Sequence, residues 1–140
     1  MKMKNKIIFI FVSLLIFSCA EAEQFNTIVG ECWEGRGHPE MSKCVAERAD
    51  TTRANLETEE KSFRALIEKS QEESSYSKAV SSAFEVSVES FRKYRNEQCS
   101  LIFFLASAGN GAEDNKMACE AQLNIERIEQ LNAAKWWVKQ

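Results

Sequence analysis

From Met41 to Ile67 the chain repeats an apolar or small side chain every three or four residues. Val45, Ala49, Thr52, Leu56, Phe63, Leu66 and Ile67 make the seam, and Glu59 is its one break. That period is one face of an amphipathic helix, about 43 Å long if it runs to Lys69 at 1.5 Å per residue. The polar run "SQEESS" (Ser70 to Ser75) predicts a turn, with Ser74 or Ser75 capping the next helix. A second seam follows through Val80, Phe84, Val88, Phe91, Tyr94 or Arg95, Cys99 and Ile102, until "SAGNG" stops it. A third runs from about Glu113 through Met117, Ala121, Ile125, Ile128 and Leu131. The one proline, Pro39, and four of the five glycines, Gly35, Gly37, Gly109 and Gly111, stand outside the long central interval, so nothing breaks a helix there. No strand-like alternation of useful length occurs. The expected fold is all-α, an up-down-up bundle of three long helices joined by short connections.

The start of the chain has a different pattern. Lys2, Lys4 and Lys6 precede the apolar block Ile7 to Val12, which resumes as "LLIF" and meets Ser18, Cys19 and Ala20. Basic, apolar and small segments in that order predict a secretory signal peptide over residues 1–22, too short for a comfortable membrane span. Two processing sites compete. "LIFSC" resembles a bacterial lipobox, which makes Cys19 a lipidated first residue and a membrane attachment. "AEA" (Ala20 to Ala22) is an ordinary A-x-A cleavage site. Either leaves residues 23–140 as one domain of roughly 118 residues, enough for a single modest core.

Four cysteines remain, Cys32, Cys44, Cys99 and Cys119, and an even number in an exported chain predicts two disulfides, with three connectivities open. Local pairing is the expectation, Cys32 with Cys44 and Cys99 with Cys119. Closing loops of about 12 and 20 residues removes unfolded-state entropy worth roughly 3 kcal/mol each. In that scheme the first bridge pins an N-terminal loop to the start of the first helix, and the second ties two helices across the glycine break.

Loss of the leader shifts the formal net charge from −3 to −5, since three lysines and one glutamate go with it. An acidic body argues against a nucleic-acid partner and suits a cationic protein. It also keeps an exported protein soluble without any partner.

Three segments carry a family resemblance: "EMSKC" (Glu40 to Cys44), whose cysteine follows Cys32 by twelve residues, "YRNEQC" (Tyr94 to Cys99) and "CEAQLNIERIEQL" (Cys119 to Leu131). Together they resemble the exported LprI-like family named for lysozyme inhibition, over most of the chain after the leader. Its members show an aromatic residue, a Tyr-Arg pair and a cysteine on one helix. Here Phe91 stands where a Trp is usual, and "GNGAED" replaces the commoner Gly-Gly-Ser break. The resemblance implies a protein that binds and inhibits lysozyme.

Enzymatic chemistry finds little support in the residues. The single histidine, His38, lies in "EGRGHPE" and has no free cysteine to activate if all four are bridged. There is no C-x-x-C pair, zinc-like ligand cluster or phosphate-cradling loop, so neither a metal nor a cofactor is expected. The carboxylate pairs Glu59 with Glu60 and Glu72 with Glu73 fit solvated surface. For binding, the loop between Cys32 and Cys44 is the first candidate: Arg36 or His38 would offer a cationic donor to the two carboxyl groups of a lysozyme cleft. The alternative is a constrained loop and nothing more.

Tyr94 and Arg95 are further partner-binding candidates. Arg95 and Arg127, each adjoining a stripe position, also suit a structural role, as ion-pair or carbonyl-capping groups that fix helix register, and Phe91 is a further structural candidate. Trp136 and Trp137 diverge by about 100° on a helix and cannot share one core, so one of them is a surface anchor or the terminal helix docks on the bundle end. Two other functions fit the same exported helical protein: an immunity-type factor against another cell-wall-degrading toxin, and a self-associating envelope lipoprotein.

Overall fold

The computed structural model describes residues 24–70, 75–107, 109 and 111–138. The predicted signal peptide, Cys19, Glu72, Glu73 and most of the "SQEESS" turn lie outside them. The described residues form four helices and no strand: α1 (Gln24–Trp33), α2 (His38–Ser70), α3 (Ser75–Leu105) and α4 (Ala112–Val138). The three long helices are those the seams predict. The segment expected as an N-terminal loop is instead helix α1, which makes four helices rather than three.

Cross-helix contacts fix the directions. Ser42 and Thr52 of α2 meet Asp114 and Asn124 of α4 in the same order along both helices, so these two run parallel. Arg64 and Glu60 of α2 meet Glu85 and Arg92 of α3 in reversed order, which makes α3 antiparallel to α2. The long helices are therefore up-down-up, and α1 folds back on α2 through Glu31 and Arg48.

Helix α4 packs against all three others. Its predicted stripe is accordingly too narrow. Ala121 and Leu131 are buried and Met117, Ile125 and Ile128 half-buried, but Ala118, Cys119, Leu123 and Asn124 are buried as well, because neighbours surround the helix.

The core divides along the bundle. Around α1 it consists of Ile28, Cys32, Met41, Val45 and small alanines of α2 and α4. Beyond Leu56 it becomes larger, with Phe63, Ile67, Phe84, Val88 and Leu131. The α2 seam passes through Glu60, which is buried, and not past a solvent-facing Glu59. Glu60 continues the three- and four-residue steps from Leu56 to Phe63 and is tolerated because Arg92 Nη2 lies 2.9 Å from its carboxylate. Glu59 is not solvated surface either; it pairs with Lys135 at 2.5 Å, with most of both side chains covered.

Candidate functional site

Both covalent clasps sit at one end of the bundle. Cys32, in the last turn of α1, is bonded to Cys44, two turns into α2. Cys99, near the end of α3, is bonded to Cys119, two turns into α4. Because α2 and α4 are parallel, the α1–α2 turn and the α3–α4 turn share this end. The pairing is the local one. Cys32, Cys99 and Cys119 are fully buried, and Cys44 is half-buried.

The α1–α2 turn is tight. Gly35 has φ +66°, a left-handed conformation that glycine enters without steric cost, and the Arg36 N–H donates to the Trp33 carbonyl at 3.0 Å. Arg36 Nη1 donates to the Cys32 carbonyl at 3.1 Å, a cation at the negative end of α1, and also approaches Cys44 Sγ at 3.8 Å. One side of its guanidinium thus closes α1, and the rest is exposed.

His38 is not in a flexible loop: it is the first residue of α2. The Gly37 carbonyl accepts the Met41 N–H at 3.0 Å, and Pro39 occupies the first turn, where an N–H has no helical partner to lose.

The N-termini of α2 and α4 are joined through one carboxylate. Ser42 Oγ donates to Asp114 Oδ2 at 3.0 Å, and His38 Nε2 lies 3.4 Å from the same oxygen. The Asp114 side chain is 5 % exposed, that of His38 45 %. Ser, His and Asp together suggest a nucleophile relay, but the connectivity differs. A relay places imidazole between hydroxyl and carboxylate, so that the ring takes the hydroxyl proton. Here the imidazole does approach both groups, with His38 Nδ1 3.5 Å from Ser42 Oγ, but the hydroxyl makes its shorter contact, at 3.0 Å, straight to the carboxylate, which leaves its proton there and not on the ring. The group holds two helix starts in register, with negative charge where the helix dipoles favour it.

A polar layer crosses the middle of the bundle. Arg95 Nη1 donates to Asn124 Oδ1 at 2.7 Å, Asn124 Nδ2 to Thr52 Oγ1 at 3.4 Å, and Thr52 Oγ1 to the Ala49 carbonyl at 3.1 Å. Arg127 Nη2 donates to Ser87 Oγ at 2.6 Å. The guanidinium carbons of Arg95 and Arg127 stand 5.9 and 5.6 Å from the Phe91 ring centre, within cation–π range. Burial pushes the Arg127 pKa down, opposed by the negative charge of Glu60. Of the alternatives Tyr94 and Arg95, Arg95 is the one turned inward; Tyr94 is exposed on α3.

Partner-facing candidates therefore separate. Arg36 and His38 share the clasped end with exposed Trp33, whose ring meets His38 edge-on at 6.3 Å, and with exposed Phe104 and Leu105 at the end of α3. A shallow depression of about 200 Å³, lined by Ser100, Phe103, Phe104, Glu113 and Lys116, opens there too. Arg95 and Arg127 belong to the internal layer. Near the opposite end the terminal helix docks through Ala134 and Val138 on the larger core, while Trp136 and Trp137 are both exposed.

Sequence reasoning missed Ser42, Asp114, Asn124, Glu60 and Arg92. The signal available for Asn124 and Glu60 was a polar residue on a seam position; nothing local marks a pairing of Ser42 with Asp114.

Among the described residues no group of His, Cys, Asp or Glu is arranged to hold a metal ion, and no helix is long and apolar enough to cross a membrane. Comparison with curated proteins and with solved structures gives no significant match. The family model described as "Lysozyme inhibitor LprI" matches residues 32–131, from the first clasp cysteine through the buried Leu131 of α4, and the chain belongs to that family.

Proposed function

We propose that this protein is an exported, non-enzymatic inhibitor of lysozyme or a related muramidase, and that it meets its target with the disulfide-clasped end. Membership of the lysozyme-inhibitor family over residues 32–131 is the observation that carries the reading. The geometry favours this end as the contact surface. Two turns held by covalent bonds lose little conformational freedom on binding, which limits the ordering cost of association. The same end exposes an aromatic ring, Trp33, beside two side chains able to donate to carboxylates, Arg36 and His38.

A lysozyme cleft works through two carboxyl groups, and a guanidinium or imidazolium placed between them would engage both. The acidic body would meet the basic surface of lysozyme and speed encounter. Tyr94 extends the contact along α3, and Arg95 supports it from the internal layer. Attachment to a membrane through a lipid on Cys19 belongs to the same proposal; the mass of the mature N-terminal peptide tests it.

The direct test titrates purified oxidised protein into a lysozyme digest of bacterial cell walls. Dose-dependent inhibition is expected, weakened at least tenfold by Arg36→Ala with His38→Ala. Inhibition unchanged in the double variant would remove these two residues from the contact. No inhibition at clear molar excess would overturn the lysozyme reading.

A further inference from the structure

Helix α3 carries a second apolar stripe that no part of the described fold covers. At 100° per residue, Ala79, Ala83, Val86 and Ser90 fall within about 60° of one line along the helix, and so do Tyr94, Glu97, Leu101 and Phe104. All eight are exposed. The core-facing residues Phe84, Val88 and Cys99 project from the opposite side. Four of the large exposed hydrophobic residues of the molecule, Val86, Tyr94, Leu101 and Phe104, therefore share one face of one helix, and Phe104 is 73 % exposed. Scattered singly they would need no explanation; aligned over seven turns they mark an interaction surface.

The stripe is graded in size. Its N-terminal half is small, with two alanines, a valine and a serine; its C-terminal half is large. A graded stripe fits a copy of itself best when the two run antiparallel, because then the large Leu101 and Phe104 meet the smaller Val86 and Ala83. The register that places Val86 opposite Leu101 also places Ala83 opposite Phe104 and Ser90 opposite Glu97. It brings Lys93 beside Tyr94 of the second copy and within one turn of that copy's Glu97. Opposite charges then flank the centre, and Tyr94 offers its ring to a lysine stem and ammonium. We infer that α3 pairs with α3 of a second copy in an antiparallel, two-fold symmetric dimer.

The size of the stripe sets the strength. From Ala79 to Leu105 the helix spans about 40 Å, and a strip about 10 Å wide buries about 400 Å² on each copy. That total lies in the range of weak, concentration-dependent association. The dimer leaves the α1–α2 turn free but covers Tyr94 and Phe104, so it is compatible with lysozyme contact through Arg36 and His38 and competes with any contact along α3.

Sedimentation equilibrium of the purified oxidised protein, from about 1 μM to about 1 mM, tests the inference. The expected mass rises from one copy to two across this range. Leu101→Asp is expected to shift the midpoint at least tenfold upward while circular dichroism and the thermal midpoint stay at the parent values, since Leu101 is outside the core. Nitroxide labels supply the orientation. Labels at position 94 are expected close together in the dimer, whereas labels at position 104 are expected far apart. A single-copy mass at every concentration would overturn the inference, as would a dimer indifferent to Leu101→Asp or labels at position 104 close together. A monomer whose lysozyme binding is abolished by Leu101→Asp would overturn it too, and would give the stripe to the lysozyme partner.

Discussion

The two ends of the bundle are held by different means. At the end where α2 meets α3, burial does the work. Phe63 and Phe84 pack at a centroid distance of 5.1 Å, with Ile67, Val88 and Leu131 around them, and Arg64 donates to both carboxylate oxygens of Glu85 at 2.7 and 2.9 Å. At the clasped end the buried side chains are mostly small, Ala49, Ala118, Ala121 and Val45, and two disulfides bind the helices instead. Small residues let helices approach closely but remove little apolar surface from water. Covalent clasps compensate by restricting the unfolded chain. The polar layer of Thr52, Asn124 and Arg95 lies between the two regimes.

The sharpest way to break this contrast is Phe63→Ala. Phe63 is buried in the larger core, and its loss is expected to cost about 3–5 kcal/mol through lost transfer energy and the cavity left behind. Urea unfolding measures it. A cost below about 1 kcal/mol would mean that this end is not held by burial.

Next in size are the clasps, worth about 3 kcal/mol each in the loop-closure account. They should open in order. A thiolate must reach a sulfur before exchange begins, and only Cys44 is partly exposed, so Cys32–Cys44 is expected to yield first to a dithiol reductant. Alkylation and peptide mapping at partial reduction should find Cys32 and Cys44 modified with Cys99–Cys119 intact.

Asn124→Leu probes the boundary between the ends. It removes the acceptor of Arg95 and the donor to Thr52, and an expected loss of about 1–3 kcal/mol follows from stranding a half-buried guanidinium and a buried hydroxyl. Chemical denaturation of the variant beside Arg95→Leu/Asn124→Leu checks it; the double variant should recover part of the loss.

The smallest effect belongs to Glu85→Gln. The hydrogen bond from Arg64 holds the Glu85 carboxyl below its ordinary range. A carboxylate with a depressed folded pKa stabilises fully above its unfolded value, and that contribution disappears as pH falls through the folded one. Both partners are substantially exposed, so the difference at neutral pH should stay below about 1 kcal/mol. Thermal midpoints of parent and variant should converge in acid; a constant gap would contradict the pairing.

Periodicity in the chain is strong where a helix has one neighbour-facing stripe, and there it was informative. The seams of α2 and α3 stand out because Leu56, Phe63, Phe84 and Val88 are large and regularly spaced. Helix α1 did not stand out. It has ten residues, contains Gly30, and buries only Ile28 and Cys32 among the residues whose side chains are described, too few to show a period. The sequence left three disulfide connectivities open, and the local pairing expected among them is the one the structure shows. The role of Asp114 was hidden because its partners, His38 and Ser42, lie more than seventy residues away and the contact exists only once α2 and α4 are parallel. Arg36 and His38 were placed in a loop since two glycines and a proline usually make one; instead they form a helix stop and a helix start back to back.

In the proposed function the clasped end inhibits lysozyme and the other end only supports it. The most direct measurement compares lysozyme inhibition by two damaged proteins: one selectively reduced and alkylated at Cys32 and Cys44, the other carrying Phe63→Ala and assayed at a temperature where it remains folded. Inhibition is expected to be lost in the first and retained in the second. Retention in the first with loss in the second would contradict it and move the inhibitory surface to the opposite end.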